Sequence, residues 1–428
     1  MPLIDNNKYP CVGCGGCVPA CPKKCIELVE NELGQYRPIV DRKLCVDCGL
    51  CEKICPINND IASLSEVSMR QTSLVGDYVH CYKGYDKDFR KTSASGGLVT
   101  SVLSYLLENR FIDEAICVGS SHSSKFEFTY QFVTNPDDLI SCSKSAYYPM
   151  EISQVINRIK QKERRYAMVV LPCQAKVIRA LQDRSRILKE RIVYLLGLVC
   201  GGVPGKALIE FVAQDSNISV NEISSVVFRE KDYKHYNSNY SIKISDKYGN
   251  TIVSRMKDDS FGFAFLNKIF NYRGCNFCHD IFAELADVSF MDAWLEEYRR
   301  DLVGTSICIT RNKELDTILS SYFREKKTIS EVCVDIPIRA QNNVGLIQRK
   351  KKLNYIKRKF YKLMGYHVDV YNIRLSLKEI VKFYIRTIQE FLIESFSFKF
   401  WKLYKLGRIS FRKYKTLMVN VIKIVKFI

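Results

Sequence analysis

The chain has 428 residues, 47% of them hydrophobic and 26% charged, which is too long for one ordinary domain and too apolar for a disordered chain. Its formal charge of +19 suggests nucleic-acid binding until it is mapped: residues 349–428 hold 21 Lys and Arg against 4 Asp and Glu, so +17 of the excess lies there. The preceding body is close to neutral.

Nine of the eighteen cysteines fall before residue 60. "MPLIDNNKYPC" has neither an apolar nor a basic leader segment, so a secreted disulfide framework is set aside and the cytoplasm is expected. "CVGCGGCVPACP" starts at Cys11 and "CVDCGLCEKICP" at Cys45. Each run is C-x2-C-x2-C-x3-C-P, the spacing of two-cluster bacterial ferredoxins, in which the fourth cysteine crosses to the other cluster. Cys11, Cys14, Cys17 and Cys55 are expected to hold one [4Fe–4S] cluster, and Cys45, Cys48, Cys51 and Cys21 the other. A zinc module would use paired C-x2-C knuckles without a third cysteine at the same step. Cys25 is left over as a bystander.

Residues 1–60 therefore form a ferredoxin-like α+β domain, followed by a polar linker, "INNDIASLSEVSMRQTSLVGDY". "GGLVTSVLSYLLENR" then has helical periodicity, and "DEAICVG", "AMVVLPC", "IVYLLGLVC", "ADVSFMDAW" and "TSICITRN" read as buried strands with helices between them. This alternation predicts an α/β domain over 61–345. "SSVVFREKDYKHYNSNYSIKISDKYGNTIVSRMKD" is rich in β-branched and aromatic residues and predicts an inserted antiparallel meander. Cys173 and Cys200 directly follow strands, while Cys275 and Cys278 form a C-x2-C knuckle. The four suffice for a third cubane, although free cysteines are also common core residues.

"KTSASGGLVTSVLSYLLENRFIDEAICVG", "LPCQAKVIRAL", "LVCGGVPGKALIEF" and "CNFCHDIFAELADVSFMDAW" follow the order found in the family of coenzyme F-420 hydrogenase and dehydrogenase beta subunits, which this chain resembles to about residue 345. The resemblance implies FAD and a third [4Fe–4S] cluster on Cys173, Cys200, Cys275 and Cys278. It makes "KTSASGG" a flavin phosphate seat, in which Lys91, Ser93, Ser95, Gly96 and Gly97 present charge, hydroxyls and amides at a helix N-terminus. Lys144, in a segment similar to the family's S-K-Y, is a further flavin contact. The sequence departs from the family motifs at Val170-Leu171, Gly201 and Met291. Asp292 is either a cofactor or proton group or a structural aspartate, and His279 either supports the knuckle or is a surface residue.

The remaining 346–428 is a basic, helical tail. Val381, Tyr384, Ile385, Ile388 and Leu392 form one apolar stripe, and Phe411, Tyr414, Met418, Val421 and Val425 another. Two readings stand: an amphipathic element on an anionic inner membrane surface, or a helical cap over the α/β domain. No nucleic-acid motif accompanies the charge. The functional expectation is an iron–sulfur flavoprotein oxidoreductase taking electrons from a carrier such as ferredoxin. Its acceptor would be a deazaflavin or another substrate, and the resemblance also reaches members associated with surface-polysaccharide synthesis. The rivals are an electron-transfer subunit serving a separate catalytic partner, and a scaffold with degenerate cofactor sites.

Overall fold

The computed structural model describes residues 4–57, 74–121, 127–257, 259–298, 300–342, 352–370 and 374–427. Most of the expected linker, and the boundaries at 60 and 345, lie outside these residues. In the N-terminal module, β1 (Ile26–Glu30) and β2 (Tyr36–Val40) pair antiparallel between short helices α1 (Cys17–Ala20) and α2 (Leu50–Lys53). Each helix begins inside one cysteine run.

The central domain opens with β3 (Cys81–Gly84), α3 (Leu98–Glu108), β4 (Glu114–Ser120) and β5 (Phe128–Val133). It continues through α4 (Ser153–Gln161), β6 (Tyr166–Val170), α5 (Pro172–Gln182), α6 (Arg186–Arg191), β7 (Ile192–Leu198) and α7 (Ala207–Asp215). Next, β8 (Ile223–Phe228), β9 (Ser241–Asp246) and β10 (Thr251–Arg255) form a separate three-stranded antiparallel sheet, followed by α8 (Ser260–Leu266). The domain ends with β11 (Val288–Asp292), β12 (Ser306–Thr310), α9 (Lys313–Glu325), β13 (Ile329–Val332) and α10 (Asp335–Asn342).

Eight strands share one mixed sheet in the order β13-β3-β12-β11-β7-β6-β4-β5. Its centre, β4-β6-β7-β11, is parallel, and the flanking strands pair antiparallel. All five residues of β6 and of β12 are buried, as expected where helices cover both faces. One face packs α3 and α9, and the other α4, α5 and α6. The register pairs Asp292 with Ser306 and Ser306 with Gly84. The end of β11, the start of β12 and the end of β3 therefore lie at the edge where β6 and β7 deliver Cys173 and Cys200.

Three C-terminal helices, α11 (Asn354–Leu363), α12 (Leu377–Lys405) and α13 (Phe411–Phe427), pack on this body. Tyr414, Met418 and Val425 are buried with α7, α8 and β8–β9 in one core, so the second apolar stripe is interior. The first stripe divides: Leu392 joins that core, whereas Val381, Ile385 and Ile388 are exposed. Among the described residues no helix is long and apolar enough to cross a membrane. Trp401 is fully buried, edge-on to Phe270 and Tyr414, with its indole N–H donating to the Glu32 carbonyl at 3.0 Å. Trp401→Ala should therefore cost about 3–5 kcal/mol in denaturant unfolding of the full chain; a cost under about 1 kcal/mol, the range of a surface substitution, would show that the helices do not share this core.

Candidate iron–sulfur and cofactor site

Cys11, Cys14, Cys17 and Cys55 converge from both cysteine runs. The Cys17 thiol is pushed well up, first by burial and then by Cys14, Cys11 and Cys55. The three other members of the expected crossed set thus lie within electrostatic reach of Cys17, as does Cys51 of the second set. The Gly13 amide donates to Cys11 Sγ at 3.2 Å and the Tyr9 hydroxyl to Cys55 Sγ at 2.9 Å. Cys21, Cys45, Cys48 and Cys51 line a second cavity together with Cys25. Cys25, expected to be a bystander, is 3.3 Å from Cys21 sulfur to sulfur. Cys48 is exposed and Cys51 buried.

Cys173 lies in the first turn of α5, where Pro172 needs no hydrogen-bonded amide. Cys200 follows β7, and Cys275 lies in a single-turn helix, Arg273–Phe277, that ends at Cys278. The Cys173 thiol is raised well above its ordinary value by burial, then by Cys14, Cys278, Cys200 and Cys275. The other three sulfurs of the set, and that of Cys14 in the N-terminal module, therefore lie within electrostatic reach of Cys173. The Val203 amide donates to Cys275 Sγ at 3.4 Å. Among the described residues, no three His, Cys, Asp or Glu side chains close on a point as a single metal ion requires. A cubane ligates each thiolate at a different iron, so its ligand sulfurs stay apart. The donor set fits iron–sulfur clusters, whose positive iron relieves the cost of ionising buried thiols.

The 91–97 loop lies at the same sheet edge, and much of its polar capacity is used within the chain. The Gly96 amide donates to Ser306 Oγ at 3.0 Å, Ser95 Oγ donates to the Thr305 carbonyl at 3.1 Å, and Ser93 is buried, 3.5 Å from Thr100 Oγ1. A side chain at Gly96 would have its Cβ 2.7 Å from both the Gly84 carbonyl oxygen and the Ser306 nitrogen, so this glycine permits close backbone packing. Gly97 starts α3 with φ +83°. Lys91 is exposed, and Lys144 pairs with Glu230 at 3.3 Å.

Lys231 is not apparent as a site residue from the sequence. Its ammonium donates to the carbonyls of Arg90, Ser95 (3.0 Å) and Val303 (2.6 Å), matching its three N–H groups. Burial, with Lys144, Arg229 and Arg90 nearby, lowers its pKa to about 7. A cluster of charges inside a β-rich segment, "FREKDYK", is the available signal. Asp292 makes a two-pronged ion pair with buried Arg229, at 2.7 and 2.9 Å, which gives it a structural partner. His279 is buried, with Nε2 3.3 Å from Lys176 Nζ.

Residues 10–59 match a 4Fe-4S dicluster domain. Residues 81–157 and 163–332 match the N-terminal and C-terminal models of the coenzyme F420 hydrogenase/dehydrogenase beta subunit. One component of the F(420)H(2) dehydrogenase of Methanosarcina mazei is 25% identical over 197 residues, covering 44% of this chain and 53% of the relative. A coenzyme F420-dependent sulfite reductase of Methanocaldococcus jannaschii is 26% identical over 310 residues, covering 67% and 42%. The chain thus spans about half the length, or less, of these two relatives. The coenzyme F420 hydrogenase subunit beta of Methanothermobacter thermautotrophicus is 24% identical over 262 residues, covering 58% and 83%. In fold, a chain of the F420-reducing [NiFe] hydrogenase complex from Methanosarcina barkeri aligns with TM-score 0.53 at 17% identity, covering 71% of this chain and 99% of that one. The two beta-subunit models together span more than half of the sequence, and the chain belongs to the family of coenzyme F420 hydrogenase/dehydrogenase beta subunits, with a 4Fe–4S dicluster domain at its N-terminal side.

Proposed function

We propose that this chain is an iron–sulfur flavoprotein oxidoreductase that carries electrons between a one-electron protein carrier and a deazaflavin of the coenzyme F420 type. The observation that carries the reading is the seating of the first cysteine run on the knuckle, where the Gly274 amide, next to Cys275, donates to the Cys11 carbonyl at 3.3 Å. It supports a relay that would run from the exposed Cys48 edge by way of the Cys11–Cys55 group toward the sheet edge. Clusters held by these cysteines would supply one-electron relay, and FAD held at the 91–97 loop would supply conversion to hydride chemistry. The chain's own groups hold the path: the Gly13 and Val203 amides and the Tyr9 hydroxyl donate to ligand sulfurs, which favours the reduced charge.

Exposed Leu44 and Val46 near Cys48 give this edge an apolar surface for a protein carrier such as ferredoxin, ringed by exposed charges of both signs, Lys23, Lys24 and Lys43 with Asp41 and Asp47. Lys91 and Lys144, ahead of α3 and beyond β5, suit the flavin's phosphates, with Lys231 fixing the loop. F420 enters this reading because the relatives' names carry it; no observation favours surface-polysaccharide synthesis. Several relatives are named as subunits, which favours a second reading, an electron-transfer subunit that works on a catalytic partner.

Anaerobically reconstituted protein should bind about 12 iron per chain, and Cys275→Ala about 8; a wild-type count near 8 removes the third cluster. The protein should release FAD on heating and bleach the F420 absorbance when given a reductant. Gly96→Val should abolish FAD binding while iron stays near the wild-type count, because its Cβ collides with the loop's support. Flavin-free protein that ignores added FAD overturns the flavin, and F420 reduction seen only after a partner is added favours the second reading.

The tail also supports peripheral attachment to an anionic membrane, on the exposed Val381, Ile385 and Ile388 beside exposed Lys378 and Lys382. Replacing the three apolar residues with serine should weaken cosedimentation with anionic vesicles at low salt. Equal sedimentation of both proteins excludes this face.

A further inference from the structure

The C-terminal helices, beyond the segments matched by the family models, reach the Cys275–Cys278 knuckle. Glu394 on α12 uses both carboxylate oxygens there: one accepts from Arg273 Nε, and the other from Asn276 Nδ2 at 3.0 Å and the Tyr361 hydroxyl of α11 at 3.0 Å. Arg273 also donates to the Tyr366 hydroxyl at 2.6 Å. Lys357 of α11 is 2% exposed and donates to Asn276 Oδ1 at 3.2 Å and to Glu390. Fully buried Arg358 donates to the Phe277 carbonyl at 3.4 Å, and Tyr361 meets the Phe277 ring edge-on at 4.9 Å. Asn276 and Phe277 are the two residues between the cysteines. Both are thus held from the C-terminal helices, and a single carboxylate joins Asn276 to Arg273 at the start of the turn.

We propose that α11 and α12 are part of the third cluster's binding site, with Glu394 as the residue that positions the knuckle. The proposal rests on the third-cluster reading above. A C-x2-C turn orients two thiolates only while its intervening backbone is fixed, and ligand orientation of this kind is commonly held by an outer shell of hydrogen bonds. Glu394 supplies that restraint in a site where water has little access, its side chain being 12% exposed.

The test uses full-length, anaerobically reconstituted protein, read by iron content, by electron paramagnetic resonance of the reduced clusters and by thermal midpoint. Wild type is measured first: about 12 iron supports the underlying reading, and about 8 overturns that reading together with this proposal. Glu394→Ala should lose the third cluster's signal and bring iron toward the lower count, with the ferredoxin pair unchanged. Glu394→Gln, which keeps an acceptor oxygen, should recover part of the signal. Asn276→Ala removes the same link from the knuckle side and leaves Glu394 its Arg273 and Tyr361 donors and Lys357 its pair with Glu390, so it serves if Glu394→Ala does not fold. It should shift or remove the same signal with little change in thermal midpoint. Wild type at the full iron count, with Asn276→Ala and any folded Glu394 variant retaining that count and an unaltered third signal, overturns the proposal while leaving the third cluster in place.

Discussion

The structure depends on a backbone-to-backbone approach at Gly274. A Cβ there would lie 2.5 Å from the Pro10 carbonyl oxygen and 2.7 Å from that of Cys11, and the Gly274 amide donates to the Cys11 carbonyl at 3.3 Å. The contact seats the first cysteine run directly on the knuckle. Around it, the Cys14 carbonyl accepts from the Ile152 amide at 3.0 Å, and the Tyr272 hydroxyl accepts from the Tyr36 amide at 2.7 Å. The N-terminal module is therefore fastened to the α/β domain through main chain, whose geometry leaves less freedom than a patch of side chains. Two cysteine sets far apart in sequence become neighbours as a result.

How much of this is readable from sequence depends on the range of each constraint. Cubane ligands in a dicluster module come at short, repeated spacing, so the two cysteine runs and the module they mark are legible. The central strands are legible because burial on both faces leaves unbroken apolar runs, such as the wholly buried β6. Strands β3, β5 and β13 are not: β3 and β13 are four residues long, and the inner positions of β5 are only half-buried. Their pairing comes from neighbours in the sheet and leaves little trace in their own pattern.

Side-chain roles are harder to read. The three carbonyls that hold Lys231 are 72 to 141 residues away in sequence, and carbonyls carry no sequence signal. Gly96 reads as a phosphate-facing amide, yet in the fold its N–H serves Ser306 and its missing side chain admits Gly84. Periodicity alone does not tell a membrane-facing stripe from a core-facing one. The helix from Phe411 resolves inward because Tyr414 and Met418 complete an aromatic core with Phe211 and Trp401.

Helix α12 reaches two distant places at once. Glu394 holds the knuckle, and two turns later Trp401 and Lys402 engage Glu32 in the turn of the N-terminal hairpin, at 3.0 and 2.7 Å. The residues that complete both regions thus follow them in the chain, and the hairpin turn leaves the ribosome long before its partners on α12. During synthesis the Glu32 turn lacks these two contacts until residue 402 has cleared the exit tunnel. The hairpin turn and the knuckle consequently reach their finished geometry only after α12 has been made, so the two regions are completed together although they are translated far apart.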